Sequence, residues 1–199
     1  PRKKNSILGQ EFAGEIEAVG KEVKNFRKSD QVFGTSGFHF GTYAEYTCLS
    51  EDKTILTKPS NMSYEEAATI PLGGLEAMHF LGEANIQPDQ KILIIGASGS
   101  IGTIVIQLAK YYGAYVTAIG NPNSLEIMKS LGADEVIDYT KEEFRQLTGI
   151  YDIIFDVIGK TSFSHGLKLL NKNGIYLLTN PKLSLINHEK RKAKKENKK

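Results

Sequence analysis

Seven residues, Gly96-Ala97-Ser98-Gly99-Ser100-Ile101-Gly102, carry the strongest chemical signal in this 199-residue chain. They follow an apolar run, Lys91-Ile92-Leu93-Ile94-Ile95, and open a helical pattern that runs from Ile101 to Tyr112. A strand, a glycine-rich turn and a helix in that order make the pyrophosphate site of a dinucleotide-binding fold. Glycines let the backbone turn tightly and approach the phosphates. The helix that follows points free N–H groups at the negative charge. The spacing is G-x-x-G-x-x-G, not the commoner G-x-G-x-x-G, and glycine turns also occur for packing alone. The apolar run before this one and the helix after it favour the cofactor role.

Other chemistry is sparse. Cys48 is the only cysteine, and four histidines (His39, His79, His165, His188) are scattered. No intrachain disulfide and no cysteine-cluster zinc site can be built from them. A single thiol fits a reducing compartment. No apolar run approaches the length of about 18 residues that a membrane span needs, and the start lacks the h-region of a signal peptide. A cytoplasmic chain without a membrane span is the expectation.

Hydrophobic residues at 40% and charged residues at 24% are ordinary for a globular protein. The net charge of +2 conceals an asymmetry: residues 188–199 hold seven Lys/Arg against two Glu, so this end carries +5 and the rest −3. The body is mildly acidic, and net charge is no argument for nucleic acid binding by the fold. The tail has no apolar residue but Ala193 and is expected to be disordered. It could touch nucleic acid or an anionic membrane, yet no aromatic residue interleaves its charges, so a solvated end without a nucleic-acid partner is expected.

The elements that must position the glycine loop fall into two groups. Residues 12–19, 31–34, 42–49 and 54–57 read as short strands with glycine punctuation, which suggests a small β-barrel or sandwich. Ser63-Tyr64-Glu65-Glu66 is a capping-box start for a helix through Ala68, and Pro71 starts a second helix to about Ala84. Strands are then expected over 91–95, 114–119, 135–137, 151–157 and 174–178, alternating with helices over 101–112, 124–131, 141–147 and 163–171. Such alternation makes an α/β fold, a doubly wound parallel sheet with helices on both faces.

Several stretches together resemble the zeta-crystallin-like quinone oxidoreductases of the medium-chain dehydrogenase/reductase superfamily. They are Ile7-Leu8-Gly9-Gln10-Glu11-Phe12-Ala13-Gly14, Thr42 to Tyr46, Pro71-Leu72-Gly73-Gly74-Leu75, the Gly96–Gly102 loop, Leu131 to Tyr139, and Tyr151-Asp152-Ile153-Ile154-Phe155-Asp156. The resemblance covers residues 1–182. It implies a partial GroES-like β-barrel domain over 1–70, a Rossmann NAD(P)-binding domain over 71–187, incomplete at its C-terminal end, and the basic tail over 188–199. Members of the family have further barrel strands before this stretch and a sixth sheet strand after it, and full-length members are expected to be homo-oligomers. A fifth strand left as an open edge would make the chain aggregation-prone.

The resemblance also implies roles. Zinc-dependent members carry a ligand histidine within G-H-E; here that position is Gln10, a poor zinc ligand, so no zinc is expected. The family site implies cofactor binding by Gly96, Ala97, Ser98, Gly99, Ser100, Ile101 and Gly102. Ser98 and Ser100 are extra donors there, or simple N-caps of the helix. Gly120 and Asn121 stand where an acidic residue would bind a ribose 2′-OH, and no acid follows until Glu126. NADP(H) is therefore favoured over NAD(H), although no Arg or Lys stands there to grip a phosphate. Tyr139 matches a family tyrosine that lies against the cofactor, and Val157, Ile158 and Gly159 match contacts to the nicotinamide ribose. Each also has a plain role in a strand end, core or turn. Phe38, Phe40 and Tyr46 could line an aromatic pocket, with strand and loop packing the plainer account. Glu76 departs from a family threonine near the nicotinamide.

The implied chemistry is zinc-independent hydride transfer from a nicotinamide to a small quinone, enone or carbonyl. It needs no protein nucleophile, so no catalytic residue is assigned. The alternatives are a truncated, non-catalytic remnant that binds a dinucleotide at most, and a basic-tailed nucleic-acid binder.

Overall fold

A computed structural model describes residues 7–141, 147–159, 163–179 and 194. The chain divides into two compact units between Leu75 and Glu76.

In the first unit, β1 (Glu11–Glu15), β2 (Gln31–Thr35) and β3 (Thr54–Thr57) form an antiparallel sheet in that order. Gly34 sits opposite Phe12 and Ile55 in the ladder. A Cβ at Gly34 would strike the Thr54 carbonyl, so only glycine lets the strands close there. Helix α1 (Tyr64–Ala68) opens on the expected capping box: the Glu66 N–H donates to Ser63 Oγ at 3.1 Å and the Ser63 N–H to Glu66 Oε2 at 2.8 Å. Helix α2 (Pro71–Ala84) starts at its proline, and the division between the two units falls within it.

The strand expected over 42–49 does not form. Alternation is a property of side chains, whereas a strand also needs a ladder partner. Among the described residues, only the first two N–H groups of this segment find backbone acceptors, Thr42 on Gly9 O (3.4 Å) and Tyr43 on Leu8 O (2.9 Å). The segment instead borders, with β1, Val23 and Phe26, an open cavity of about 640 Å³. Packing of Phe38, Phe40 and Tyr46 is not observed either: they are 94%, 41% and 75% exposed.

In the second unit the expected alternation is present. The elements are β4 (Lys91–Ile95), α3 (Ser100–Tyr111), β5 (Tyr115–Gly120), α4 (Leu125–Ser130), β6 (Glu135–Asp138), β7 (Tyr151–Asp156), α5 (Phe163–Leu169) and β8 (Leu170–Leu178). All strand pairs are parallel, in the order β6-β5-β4-β7-β8. The central strands are buried from both faces, which is why they read as unbroken apolar runs. Ile92, Ile94, Ile153 and Phe155 belong to one core cluster, and Leu93, Ile95 and Ile154 to the cluster on the other face. Each such side chain contributes roughly 1.5–3 kcal/mol by burial.

Most element ends fall within one or two residues of expectation, but β1, expected to 19, stops at Glu15, where it pairs with the first residue of β2, Gln31, and two elements of the second unit differ more. The helix expected to 171 ends at Leu169, and β8 takes over at once, with Leu170 opposite Tyr151 before the ladder slips. Asn173 in a left-handed conformation (φ 69°) marks that slip. Of the helix expected over 141–147, residues 142–146 lie outside the described residues, and Lys141 and Leu147 are not helical. The basic tail lies outside them as well, Lys194 excepted.

Candidate functional site

The strand order places β4 at the point where the chain changes direction across the sheet, with β5 on one side and β7 on the other. Ligands of doubly wound sheets bind at the carboxyl ends of the strands at such a point.

The loop leaving β4 is built by its glycines. Gly96 has φ 85°, a conformation in which a side chain is strained. Its N–H and that of Ala97 both donate to Ile119 O, at 3.0 and 2.9 Å, which pins the loop to the end of β5. The Gly99 N–H donates to Gly96 O at 3.2 Å and closes the turn. A Cβ at Gly102 would lie 2.5 Å from Ala97 Cα, so the first turn of α3 can rest on the loop only without one.

Gly99 is the N-cap of α3, and among the described residues no side chain caps the helix. Neither Ser98 nor Ser100 takes the capping role: Ser100 is already the first helical residue and Ser98 precedes the cap. The first turn of a helix has no internal acceptors for its N–H groups. The Thr103 N–H reaches Gly99 O at 3.0 Å, which leaves the N–H groups of Ser100, Ile101 and Gly102 ahead of it. A Cβ at Gly99 would meet nothing closer than Gly96 O at 3.6 Å, so the approach to these donors is open. Donors, the positive end of the helix dipole and an open approach suit a phosphate.

On the β5 side, Gly120 is walled in. A Cβ there would lie 2.7 Å from Met128 Sδ and 3.2 Å from Ser98 Oγ. Asn121 turns its Oδ1 to the Asn123 N–H (2.8 Å) and starts a single 3-10 turn, Pro122–Ser124. The Tyr139 N–H donates to Gly120 O at 3.2 Å, which brings the half-exposed Tyr139 beside this corner. Asp138, at the end of β6, accepts the Thr140 hydroxyl (2.7 Å) and N–H (2.8 Å). The hydroxyl first and the N–H second hold its carboxyl below the usual range, so its charge is turned to Thr140.

On the β7 side, the Val157 N–H donates to Ile95 O at 3.0 Å. Ile158 packs beside Gly96, where a Cβ would lie 2.6 Å from Ile158 Cγ1. Gly159 has φ 67°. Every cofactor-binding residue expected from the sequence thus lies along one carboxyl rim: Gly96 to Gly102 in the middle, Gly120, Asn121 and Tyr139 on one side, Val157, Ile158 and Gly159 on the other.

Two residues of this rim escaped the sequence reading. Met128 on α4 backs Gly120, and periodicity marks it only as core. Asp156, 1% exposed, holds the turn after β7 through the Ile158 N–H (3.0 Å) and the Gly159 N–H (2.8 Å). A lone acid ending an apolar strand was the available signal. In the first unit, Gln10 donates its Nε2 to Gly37 O at 2.9 Å, so its amide serves a loop. Among the described residues, no group of three His, Cys, Asp or Glu could hold a metal ion, and no helix is long and apolar enough to cross a membrane.

Comparison with known proteins agrees with this architecture. Residues 100–179 match the family model described as zinc-binding dehydrogenase, and residues 1–60 match the alcohol dehydrogenase GroES-like domain. A 2-methylene-furan-3-one reductase of Solanum lycopersicum is 39% identical over 164 residues, 78% of this chain and 42% of that protein. A chloroplastic NADPH-dependent alkenal/one oxidoreductase of Arabidopsis thaliana is 37% identical, over 77% of this chain and 42% of that protein. Among solved structures, the quinone oxidoreductase of Coxiella burnetii superposes with a TM-score of 0.84 at 29% identity, covering 98% of this chain and 61% of that one. The chain spans about half the length of the curated relatives it matches.

Proposed function

The chain belongs to the medium-chain dehydrogenase/reductase superfamily, and on that premise we propose that it serves zinc-independent hydride transfer from NADPH to a quinone or an activated alkene or carbonyl. The observation that carries the proposal is the N-terminus of α3, uncapped by any side chain among the described residues, open at Gly99 and able to rest on the loop after β4 only because Gly102 has no Cβ. A nicotinamide cofactor bound along this rim supplies the hydride.

The chain's own residues bind and orient. The N–H groups of Ser100, Ile101 and Gly102 hold the pyrophosphate, with the Ser98 and Ser100 hydroxyls as further donors. Gly120, Asn121 and Tyr139 flank the adenosine ribose. No acid stands between Gly120 and Glu126, and the Asp138 carboxylate opposite Gly120 is engaged by Thr140, so NADP(H) is preferred to NAD(H). Val157, Ile158 and Gly159 flank the nicotinamide ribose. In the first unit, Gln10 stands where zinc-dependent members have histidine, and its engagement with Gly37 supports an activity without zinc.

The domain assignment in this proposal is a GroES-like domain over 1–70, a Rossmann domain over 71–187 and a basic tail over 188–199. The partner in this proposal is a small molecule. The exposed, free Cys48 supports a reducing compartment, the cytoplasm in this proposal.

Binding of NADPH and NADH tests the function directly. The chain has no tryptophan, so the emission of the reduced nicotinamide itself is followed. Tighter binding of NADPH than of NADH is expected, followed by turnover in a screen of quinones and enals. A folded sample that binds neither overturns the proposal.

A further inference from the structure

The rim contains two buried acids that the function above does not use, Asp138 and Asp156, and Asp156 is the more deeply buried. Asp156 ends β7 behind Ile153, Ile154 and Phe155 and is 1% exposed. Among the described residues, no basic side chain pairs with it. A carboxylate placed there is costly unless donors surround it, and an apolar residue would extend the strand without that cost.

The donors are specific. Oδ1 accepts the N–H groups of Ile158 (3.0 Å) and Gly159 (2.8 Å), and Oδ2 accepts the Tyr176 hydroxyl at 3.0 Å. Tyr176 is itself held: it stacks edge-on against Phe163 with ring centroids 5.0 Å apart, and a Cβ at Gly166 would overlap its ring. The Thr179 hydroxyl donates to Val157 O at 3.0 Å from the other side. The turn over 157–159 is therefore gripped at both ends, and its Ile158 lies against Gly96 of the phosphate loop. The carboxylate sets how far the turn after β7 stands from the loop after β4.

We propose that Asp156 is a positioning residue for the nicotinamide half of the dinucleotide, acting through the Val157–Gly159 turn. This rests on the dinucleotide function proposed above. The adenosine half lies along the loop after β4 and the corner at Gly120, which Asp156 does not touch. Its removal should weaken the whole dinucleotide while sparing a ligand that has only the adenosine half.

The test measures Kd for NADPH and for 2′,5′-ADP on the same samples. Asp156→Ala is expected to weaken NADPH by about tenfold or more and to leave 2′,5′-ADP within about twofold. Asp156→Asn is expected to restore NADPH binding in large part: its Oδ1 still accepts both backbone N–H groups, and its amide donates to a Tyr176 hydroxyl that turns to accept. Should Asp156→Ala not fold, Tyr176→Phe takes its place, loosening the carboxylate from one side; a weaker NADPH and an unchanged 2′,5′-ADP are again expected. Equal loss of both ligands, or loss of neither, overturns the assignment and leaves Asp156 a structural group only. Wild-type protein that binds neither ligand overturns the dinucleotide function itself, and this assignment with it.

Discussion

Glu11 caps helix α2 from 61 positions earlier in the chain: its Oε1 accepts the Leu72 N–H at 2.9 Å. Pro71 has no N–H, so Leu72 carries the first donor of the helix that needs a partner. The acceptor is also a negative charge at the positive end of the helix dipole. Glu11→Ala should lower stability by about 1 kcal/mol, and Glu11→Gln by less, because the amide oxygen keeps the bond and loses only the charge. Urea unfolding of the two variants checks the order; equal losses would mean that the charge, not the bond, is what α2 uses.

Lys110 and Asp134 give the second unit a pH dependence of known sign. Lys110 Nζ donates to both carboxylate oxygens, at 2.9 and 2.8 Å, and the Val116 N–H adds a bond of 2.7 Å. Burial alone would raise this carboxyl; the Lys110 and Val116 bonds and the Lys110 charge outweigh it, so the group titrates below its ordinary value. A lowered folded value means that the contribution is complete above the unfolded value of about 3.9 and is lost as pH falls through the folded one. The stability gap between wild type and Asp134→Asn should therefore be constant from neutral pH to about 5 and close below about 4. Thermal melts across that range decide it, and a gap that persists at low pH would mean that the loss does not come from the carboxylate charge.

The second unit was legible because its signals are local. The β4 run, the glycine loop and the α3 period each occupy one stretch of chain, and the parallel order follows from their alternation. The strand expected over 42–49 failed because pairing is not local: its alternation holds, but its N–H groups beyond Tyr43 meet no ladder among the described residues. The glycine loop was readable because Gly96, Gly99 and Gly102 stand at fixed spacing in one stretch of chain between a strand and a helix. What holds the rim was not. Nothing local distinguishes Asp156 from a strand-end acid until Tyr176, twenty residues later, is seen on its Oδ2.

The glycines at 99 and 102 should separate binding from folding. Gly99 has φ −86° and ψ 175°, which any residue adopts, and open space at its Cβ. Asp is a strong N-cap, so Gly99→Asp should leave stability unchanged or raise it by roughly a few tenths of a kcal/mol. The same carboxylate occupies the donors meant for phosphate and repels it, so NADPH binding should be lost. Gly102→Ala should do the reverse first: its Cβ meets backbone at 2.5 Å and should cost about 1–3 kcal/mol by overpacking. Melting curves beside binding isotherms read both; a Gly99→Asp variant that still binds NADPH would remove the α3 N-terminus from the site.

Asn121 offers the cleanest control of cofactor choice. Its Oδ1 accepts the Asn123 N–H at 2.8 Å, a bond that an Asp side chain makes equally well. Asn121→Asp should therefore keep the Pro122–Ser124 turn and the fold. It adds a charge at the end of β5, where the proposed site meets the 2′ position of the adenosine ribose. A carboxylate there accepts a ribose hydroxyl and repels a phosphate. The ratio of NADPH to NADH affinity should fall by about tenfold or more, which is about 1.4 kcal/mol of discrimination. Kd values for both cofactors, taken in one buffer at one ionic strength, give that ratio directly. An unchanged ratio in a folded variant would place the 2′-phosphate away from Asn121 and remove Gly120 and Asn121 from the proposed site.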